Sequence, residues 1–170
     1  MKLTNYSDYA LRSLIYLAIK PEPQALANIS DIADSYQISK SHLTKIIHQL
    51  GQLGYIETIR GKNGGIRLAR KPEDINLGIL IKQIEPDFAL VECFAASVPT
   101  LDHVEQQGLP IKLINQTISD SPAKPGCVIS PVCRLKGVFF EALTAFVKVL
   151  EDYTLADIIS NEAELARILS

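Results

Sequence analysis

Cys93, Cys127 and Cys133 are the residues of this 170-residue chain with the widest chemical repertoire. Five residues lie between Cys127 and Cys133, and 33 separate Cys93 from Cys127. Thiolates hold soft metals, so three of them plus one further ligand can close a zinc site or an iron–sulfur cluster. Glu92, Asp102 and His103 are the near candidates for that ligand, and a Cys3His zinc site through His103 is compatible with the ligand types. Asp8, His42 and His48 are remote in sequence. The alternative is three small buried hydrophobes, since free cysteine is often buried; spacing does not choose. An odd count excludes a complete disulfide framework, as expected of thiols kept reduced in the cytoplasm.

The second chemically distinct group is basic. The net charge is −2, but residues 1–71 carry ten Lys and Arg against five Asp and Glu, whereas residues 72–170 carry seven against fourteen. Seven of the basic residues fall between Lys40 and Lys71, with Glu57 the one acid among them. A basic segment inside an acidic chain implies a local polyanion site rather than general attraction. Ser39, Lys40, Ser41, His42 and Lys45, with Thr44 and His48, sit at the start and exposed side of one predicted helix. Such a helix reads base edges in the major groove from its N-terminal turns. Arg60, Lys62, Asn63 and Gly64 form a second basic group, where glycines let the backbone approach a phosphate or the minor-groove floor. Together these residues point to double-stranded DNA.

Enzyme chemistry finds no comparable support. The chain has no Gly-x-Ser-x-Gly, no His-Glu-x-x-His and no Cys-x-x-Cys, and its three histidines are dispersed. The segment Gly61-Lys62-Asn63-Gly64-Gly65 lacks the spacing of a phosphate-binding P-loop. No enzymatic activity is expected.

The elements that must position these residues follow from periodicity. Leu11, Leu14, Ile15 and Ala18 predict a helix over 8–19 with Ser7 as N-cap. Ile29, Ile32, Ala33 and Tyr36 predict a short helix over about 30–36. Leu43, Ile46, Ile47, Leu50 and Leu53 predict the next, from the cap Ser39 to Gly54. Two such helices joined by a tight turn read as a helix-turn-helix. Strands over 55–60 and 66–70 then flank Asn63-Gly64-Gly65, which is expected to supply the positive φ values of a hairpin turn. This is the layout of a winged helix. Residues 76–85 form a short helix capped by Asn76. Arg134–Leu150 holds an apolar i, i+3, i+4 pattern through Leu135, Val138, Phe139, Ala142, Leu143, Phe146, Val149 and Leu150.

The expected fold is therefore mainly α with a small β-hairpin wing (α+β). A winged helix-turn-helix over 1–75 precedes a sensor and dimerisation region over 76–170. Within the latter, about 95–126 is proline-punctuated and reads as a long loop. At 47% apolar and 21% charged residues, the composition is globular. The longest apolar runs span only a few residues against the roughly 20 of a membrane helix, so no membrane partner is expected. The N-terminus shows no apolar signal segment, so a cytoplasmic protein is expected.

Five ordered motifs resemble the bacterial winged-helix iron–sulfur repressor family. They are Leu3-Thr4-x-x-x-Asp8-Tyr9-Ala10-Leu11-Arg12; Ser39-x-x-His42-Leu43-x-Lys45-Ile46-Ile47; the wing Arg60-Gly61-Lys62-Asn63-Gly64-Gly65-Ile66-Arg67-Leu68; Cys127-x-Ile129-x-Pro131-x-Cys133-Arg134-Leu135-Lys136; and Tyr153-Thr154-Leu155-Ala156-Asp157. Wing and cysteine motifs are most similar to the nitric-oxide-responsive branch. Members regulating cluster biogenesis carry a His where this chain has Lys136. The resemblance implies a homodimer held by the long helix and an iron–sulfur cluster, two-iron or four-iron, on Cys93, Cys127 and Cys133, with Asp8 of the second chain as fourth ligand. It further implies a repressor of a palindromic operator, released when nitric oxide attacks the cluster. The 33-residue interval after Cys93 departs from the family, where the first two cysteines are only several residues apart. It makes His103 a competitor to Asp8, although loop closure costs only logarithmically more with length. The alternatives are a winged-helix regulator with zinc-bound or merely structural cysteines, or an iron–sulfur regulator of another signal.

Overall fold

Helix-forming stripes and their caps set the first elements of the computed structural model, which describes residues 3–20, 25–86, 88, 90, 127–129 and 132–169. Helix α1 spans Asn5–Ala18, three residues earlier than its apolar stripe predicts. Thr4, not Ser7, is the N-cap: its side chain accepts from the Ser7 amide at 3.3 Å. Ser7 is fully buried instead. Helix α2, Ile29–Tyr36, starts at Asn28, whose backbone N–H donates to the Asp31 carboxylate at 3.2 Å. Gln37, at φ 54°, makes the left-handed turn into α3, Lys40–Gln52. Gly54 closes α3 at φ +74°, a conformation that glycine adopts without strain.

Strands β1, Ile56–Ile59, and β2, Gly65–Leu68, pair antiparallel with Ile56 opposite Leu68 and Ile59 opposite Gly65. The positive φ of the hairpin lies at Gly61, at +122°, and not in Asn63-Gly64-Gly65 as expected. Those glycines serve close approach. A Cβ on Gly64 would stand 2.2 Å from the Ile59 carbonyl oxygen, and one on Gly65 would stand 2.8 Å from that of Ala27. Ala27 and Ile66 exchange two backbone hydrogen bonds of 2.9 Å, which anchors the wing base to the segment before α2.

Helix α4, Leu77–Ile84, is capped by the Asn76 side chain, which accepts from the Ile79 amide at 3.0 Å. Leu14, Ile32, Leu43, Ile46, Leu50, Tyr55, Ile75, Leu80, Ile81 and Leu155 are the largest fully buried apolar side chains. Helices α1 to α4, the wing base and the C-terminal segment thus share one core. That segment comprises α5, Arg134–Glu151; α6, Leu155–Ile158; and α7, Glu162–Leu169. It docks where Leu77 N–H donates to Tyr153 O (3.0 Å) and Leu155 N–H to Ile75 O (2.8 Å). The Ser35 hydroxyl reaches the Leu169 carbonyl at 3.3 Å, which brings α7 back to α2.

Helix α5 has no buried residue in its 18. Leu135, Val138, Phe140 and Val149 are exposed although the helix is amphipathic. Among the described residues its C-terminal end meets α4, where Gly78 packs on Glu151 and Lys82 pairs with the Glu151 carboxylate. No helix among the described residues is long and apolar enough to cross a membrane.

Candidate functional site

With Leu43, Ile46, Ile47 and Leu50 turned inward, α3 presents an outward stripe of Ser41, Lys45, His48 and Gln52, flanked by Thr44. These positions recur at i, i+4, i+7 and i+11, one face of a 3.6-residue period. Ser39 and Ser41 share a 2.9 Å hydrogen bond at the helix entrance, beside exposed Lys40. The Thr44 hydroxyl donates to the Lys40 carbonyl at 2.8 Å, so its donor is already engaged. His42 lies on a different flank. It is half-buried, with the Tyr9 ring edge-on at 5.6 Å and the Tyr6 ring at 6.4 Å.

The wing projects Arg60, Lys62 and Asn63 into solvent, with Gly64 half-buried behind them. A cleft of about 310 Å³ joins wing to helices, lined by Asn28, Ser30, Lys40, Thr58, Gly61 and Gly64. Two of the seven basic residues are engaged within the fold. Arg67 pairs with Glu57 across the hairpin at 2.9 Å. Arg70 donates from Nε to Gly54 O and from Nη2 to Leu53 O, both at 2.9 Å, and lies 4.5 Å over the Tyr55 ring. It therefore caps the C-terminus of α3, where a cation complements the helix dipole. Lys40, Lys45, Arg60, Lys62 and Lys71 remain as the exposed basic surface.

Cys133 is the N-cap of α5 and Cys127 is exposed one short turn earlier. Both are free thiols. Val128 and Val132 beside them are 95% and 81% exposed, an apolar rim with no cover among the described residues. Cys93 and His103 lie outside the described residues, as do Glu92, Asp102 and the expected loop. Among the described residues no three His, Cys, Asp or Glu side chains converge on one point. The donors nevertheless fit a soft-metal group. Two accessible thiols stand at the start of an 18-residue helix, where free amides and the helix dipole favour negative charge.

Asp8 lies on α1 and is held by Arg12 through contacts of 3.0 and 3.1 Å, with 44% of its side chain exposed. It is accessible to a second chain and distant in sequence from the cysteines. The Arg12 guanidinium also lies 5.7 Å from the ring centroid of Tyr36 on α2. Burial pushes the Tyr36 phenol up to about 12, against the opposing pull of Arg12. Sequence reasoning missed Glu85. It is buried just after α4, and its Oε2 accepts from the Thr4 amide (3.1 Å), the Thr4 hydroxyl (3.1 Å) and the Ser7 hydroxyl (2.6 Å). Its carboxylate thus anchors the start of α1, and Cys93 follows eight residues later.

A helix-turn-helix, a basic wing and a long helix with exposed apolar residues define a winged-helix regulator. The chain belongs to the Rrf2 family, described as iron-dependent transcriptional regulators, whose profile matches residues 3–161. It is 49% identical over 170 residues to the "HTH-type transcriptional regulator NsrR" of Bacillus licheniformis, covering 100% of both chains. It is 48% identical over 169 residues to the protein of that name from Bacillus subtilis (strain 168), covering 99% of this chain and 97% of the other. Among solved structures, CymR, described as the global cysteine regulator of B. subtilis, matches with a TM-score of 0.62 at 21% identity. That match covers 95% of this chain and 98% of CymR. The winged-helix fold expected from sequence is thereby established, and the chain is a transcriptional regulator rather than an enzyme.

Proposed function

We propose that this chain is a homodimeric repressor that holds a palindromic operator with α3 and the wing, and releases it when nitric oxide reacts at an iron–sulfur cluster. The observation that carries the reading is the placement of Cys127 and Cys133 at the head of α5, a long amphipathic helix that leaves Leu135, Val138 and Val149 of its apolar stripe exposed among the described residues. A second copy packed on that stripe buries Leu135, Val138 and Val149. Two copies related by a twofold axis present two α3 helices, which fits a palindromic site with half-sites about one helical turn apart.

Cys93, Cys127 and Cys133 are the proposed cluster ligands, with Asp8 of the second copy as the fourth. The cluster, when bound, supplies the iron with which nitric oxide reacts. The chain supplies the rest: thiols at a helix start, an accessible carboxylate on α1, and a basic face of Ser39, Lys40, Ser41, Lys45, Arg60, Lys62 and Asn63. The nitric-oxide signal rests on the resemblance of the wing and cysteine motifs and on Lys136 standing where other members carry His.

The test is an operator titration of anaerobically purified protein before and after stoichiometric nitric oxide, with visible absorbance and iron, sulfide and zinc content followed in parallel. Iron and sulfide in equal amounts, and affinity that falls as absorbance collapses, support the reading. Zinc without iron refutes the cofactor. Affinity that stays constant while absorbance collapses refutes the switch.

A further inference from the structure

We infer that Tyr6 and Tyr9 are positioning residues that transmit the engagement of Asp8 to the DNA-reading helix. This rests on the reading of Asp8 as a cluster ligand. The two tyrosines flank Asp8 in the first two turns of α1, and both rings lie against His42 of α3. The Tyr6 hydroxyl also contacts the Lys45 carbonyl at 3.4 Å and donates to Gln49 Oε1. His42, Lys45 and Gln49 are spaced i, i+3 and i+7, so α1 grips one flank of α3 for two turns. Lys45 belongs both to that flank, through its carbonyl, and to the outward stripe, through its exposed side chain.

Three further contacts make these turns move as one body. Glu85 fixes Thr4 and Ser7; Ala10 and Leu14 are fully buried; and the Ser13 hydroxyl donates to the Tyr9 carbonyl at 2.7 Å. A pull on the Asp8 carboxylate therefore cannot be absorbed by fraying of the helix start. It displaces the adjacent Tyr9 ring and, through it, His42. Packed interfaces of this kind switch between discrete arrangements rather than deforming smoothly. His42 is thereby assigned to the α1–α3 junction, and base reading to Ser41, Lys45 and His48.

The experiment compares full-length, cluster-loaded wild type with Tyr6→Phe, Tyr9→Ala and Tyr9→Phe. Cluster absorbance is recorded first, and operator affinity is then measured loaded and after nitric oxide. The ratio of the two affinities reports the coupling. Wild type is expected within the roughly 5–150-fold range of such couplings. Tyr9→Ala is expected to keep the absorbance while its ratio falls below about threefold, and Tyr9→Phe, which keeps the ring, to retain the wild-type ratio. Tyr6→Phe removes both contacts of its hydroxyl to α3 without removing the ring, and is expected to lower the ratio at least about threefold. If Tyr9→Ala fails to load, Tyr6→Phe decides alone. Variants that weaken both affinities equally and leave the ratio intact overturn the inference, because the rings are then only packing. A wild-type ratio of one instead refutes the proposed switch, and this inference with it.

Discussion

Glu85→Ala is expected to loosen the start of α1, and its cost can be worked from three hydrogen bonds. The substitution removes the acceptor for the Thr4 amide, the Thr4 hydroxyl and the Ser7 hydroxyl. Ser7 is fully buried, so its hydroxyl loses its best partner with no access to water. A buried donor left unmade costs about 1–3 kcal/mol, while the half-buried Thr4 groups recover part of theirs from solvent. Removal of a desolvated carboxylate offsets some of this, so the net loss is expected at about 1–3 kcal/mol. Glu85→Gln keeps one acceptor oxygen and is expected to lose less. The decisive measurement is a double-mutant cycle with Ser7→Ala, read from urea unfolding at fixed protein concentration. Because removal of both partners leaves no orphaned hydroxyl at position 7, the double variant is expected to be more stable than the sum of the singles implies, by about 1 kcal/mol. Additive losses, or amide exchange in the first turn of α1 that Glu85→Ala leaves unchanged, would refute the anchor.

Lys62→Ala is expected to flatten the log–log salt dependence of operator binding by roughly 0.9 if Lys62 meets a phosphate; Arg70→Ala is expected to leave that slope unchanged and instead lower the unfolding midpoint, because its guanidinium is engaged by Leu53 O, Gly54 O and the Tyr55 ring. Gly78→Ala places a Cβ 2.4 Å from Glu151 Cγ and 2.7 Å from the Glu151 amide nitrogen, so α4 and α5 must separate. A loss of about 1–3 kcal/mol in thermal unfolding is expected, and an unchanged midpoint would mean the crossing is looser than described. Tyr36 should ionise well above the ordinary tyrosine range. Because burial raises its folded value from 10.0 to about 12, the stability it confers is complete below pH 10 and is lost as pH rises through that window. Tyr36→Phe should reduce the pH dependence there, as read from midpoints across an alkaline series, with Tyr6 and Tyr55, which burial also raises, supplying the remainder.

Local chemistry was legible in the sequence where one element contains its own reason. The stripe Leu43, Ile46, Ile47 and Leu50, with Gly54 behind it, gave α3 to within a residue or two, and Asn76 marked the start of α4. Errors arose where a distant residue competes for a local role. Ser7 carries the chemistry of an N-cap, but Glu85 takes its hydroxyl from 78 residues away, so Thr4 caps and the helix begins earlier. The core face of α1 rotates with it: Ala10, Leu14 and Leu17 are buried, whereas Leu11, Ile15 and Ala18 are only partly so. The wing was expected as a hairpin, yet its glycine pattern answers to two backbone contacts, Gly64 with Ile59 and Gly65 with Ala27. Basic residues were counted correctly in number but not in role, since nothing local distinguishes Arg70, bent onto α3, from Lys71, which faces water. Helix α6, with four residues, is too short for a period to show.

The geometry of α5 bears on which copy a group at the cysteines can command. Its 18 residues extend about 27 Å at 1.5 Å per residue. Cys133 stands at one end, and the contacts with α4, through Gly78, Lys82 and the Leu77–Tyr153 hydrogen bond, stand at the other. A change at Cys133 relayed along its own helix must cross that whole length. A change relayed to a second copy needs only a contact between the head of α5 and an accessible side chain of the neighbour. Asp8 has that accessibility, and it sits on the helix whose next residue, Tyr9, already touches α3. On the proposed reading the short route from cysteine to DNA runs between chains, and a dimer would both cover the exposed side of α5 and connect the proposed sensor to the helix proposed to read the operator.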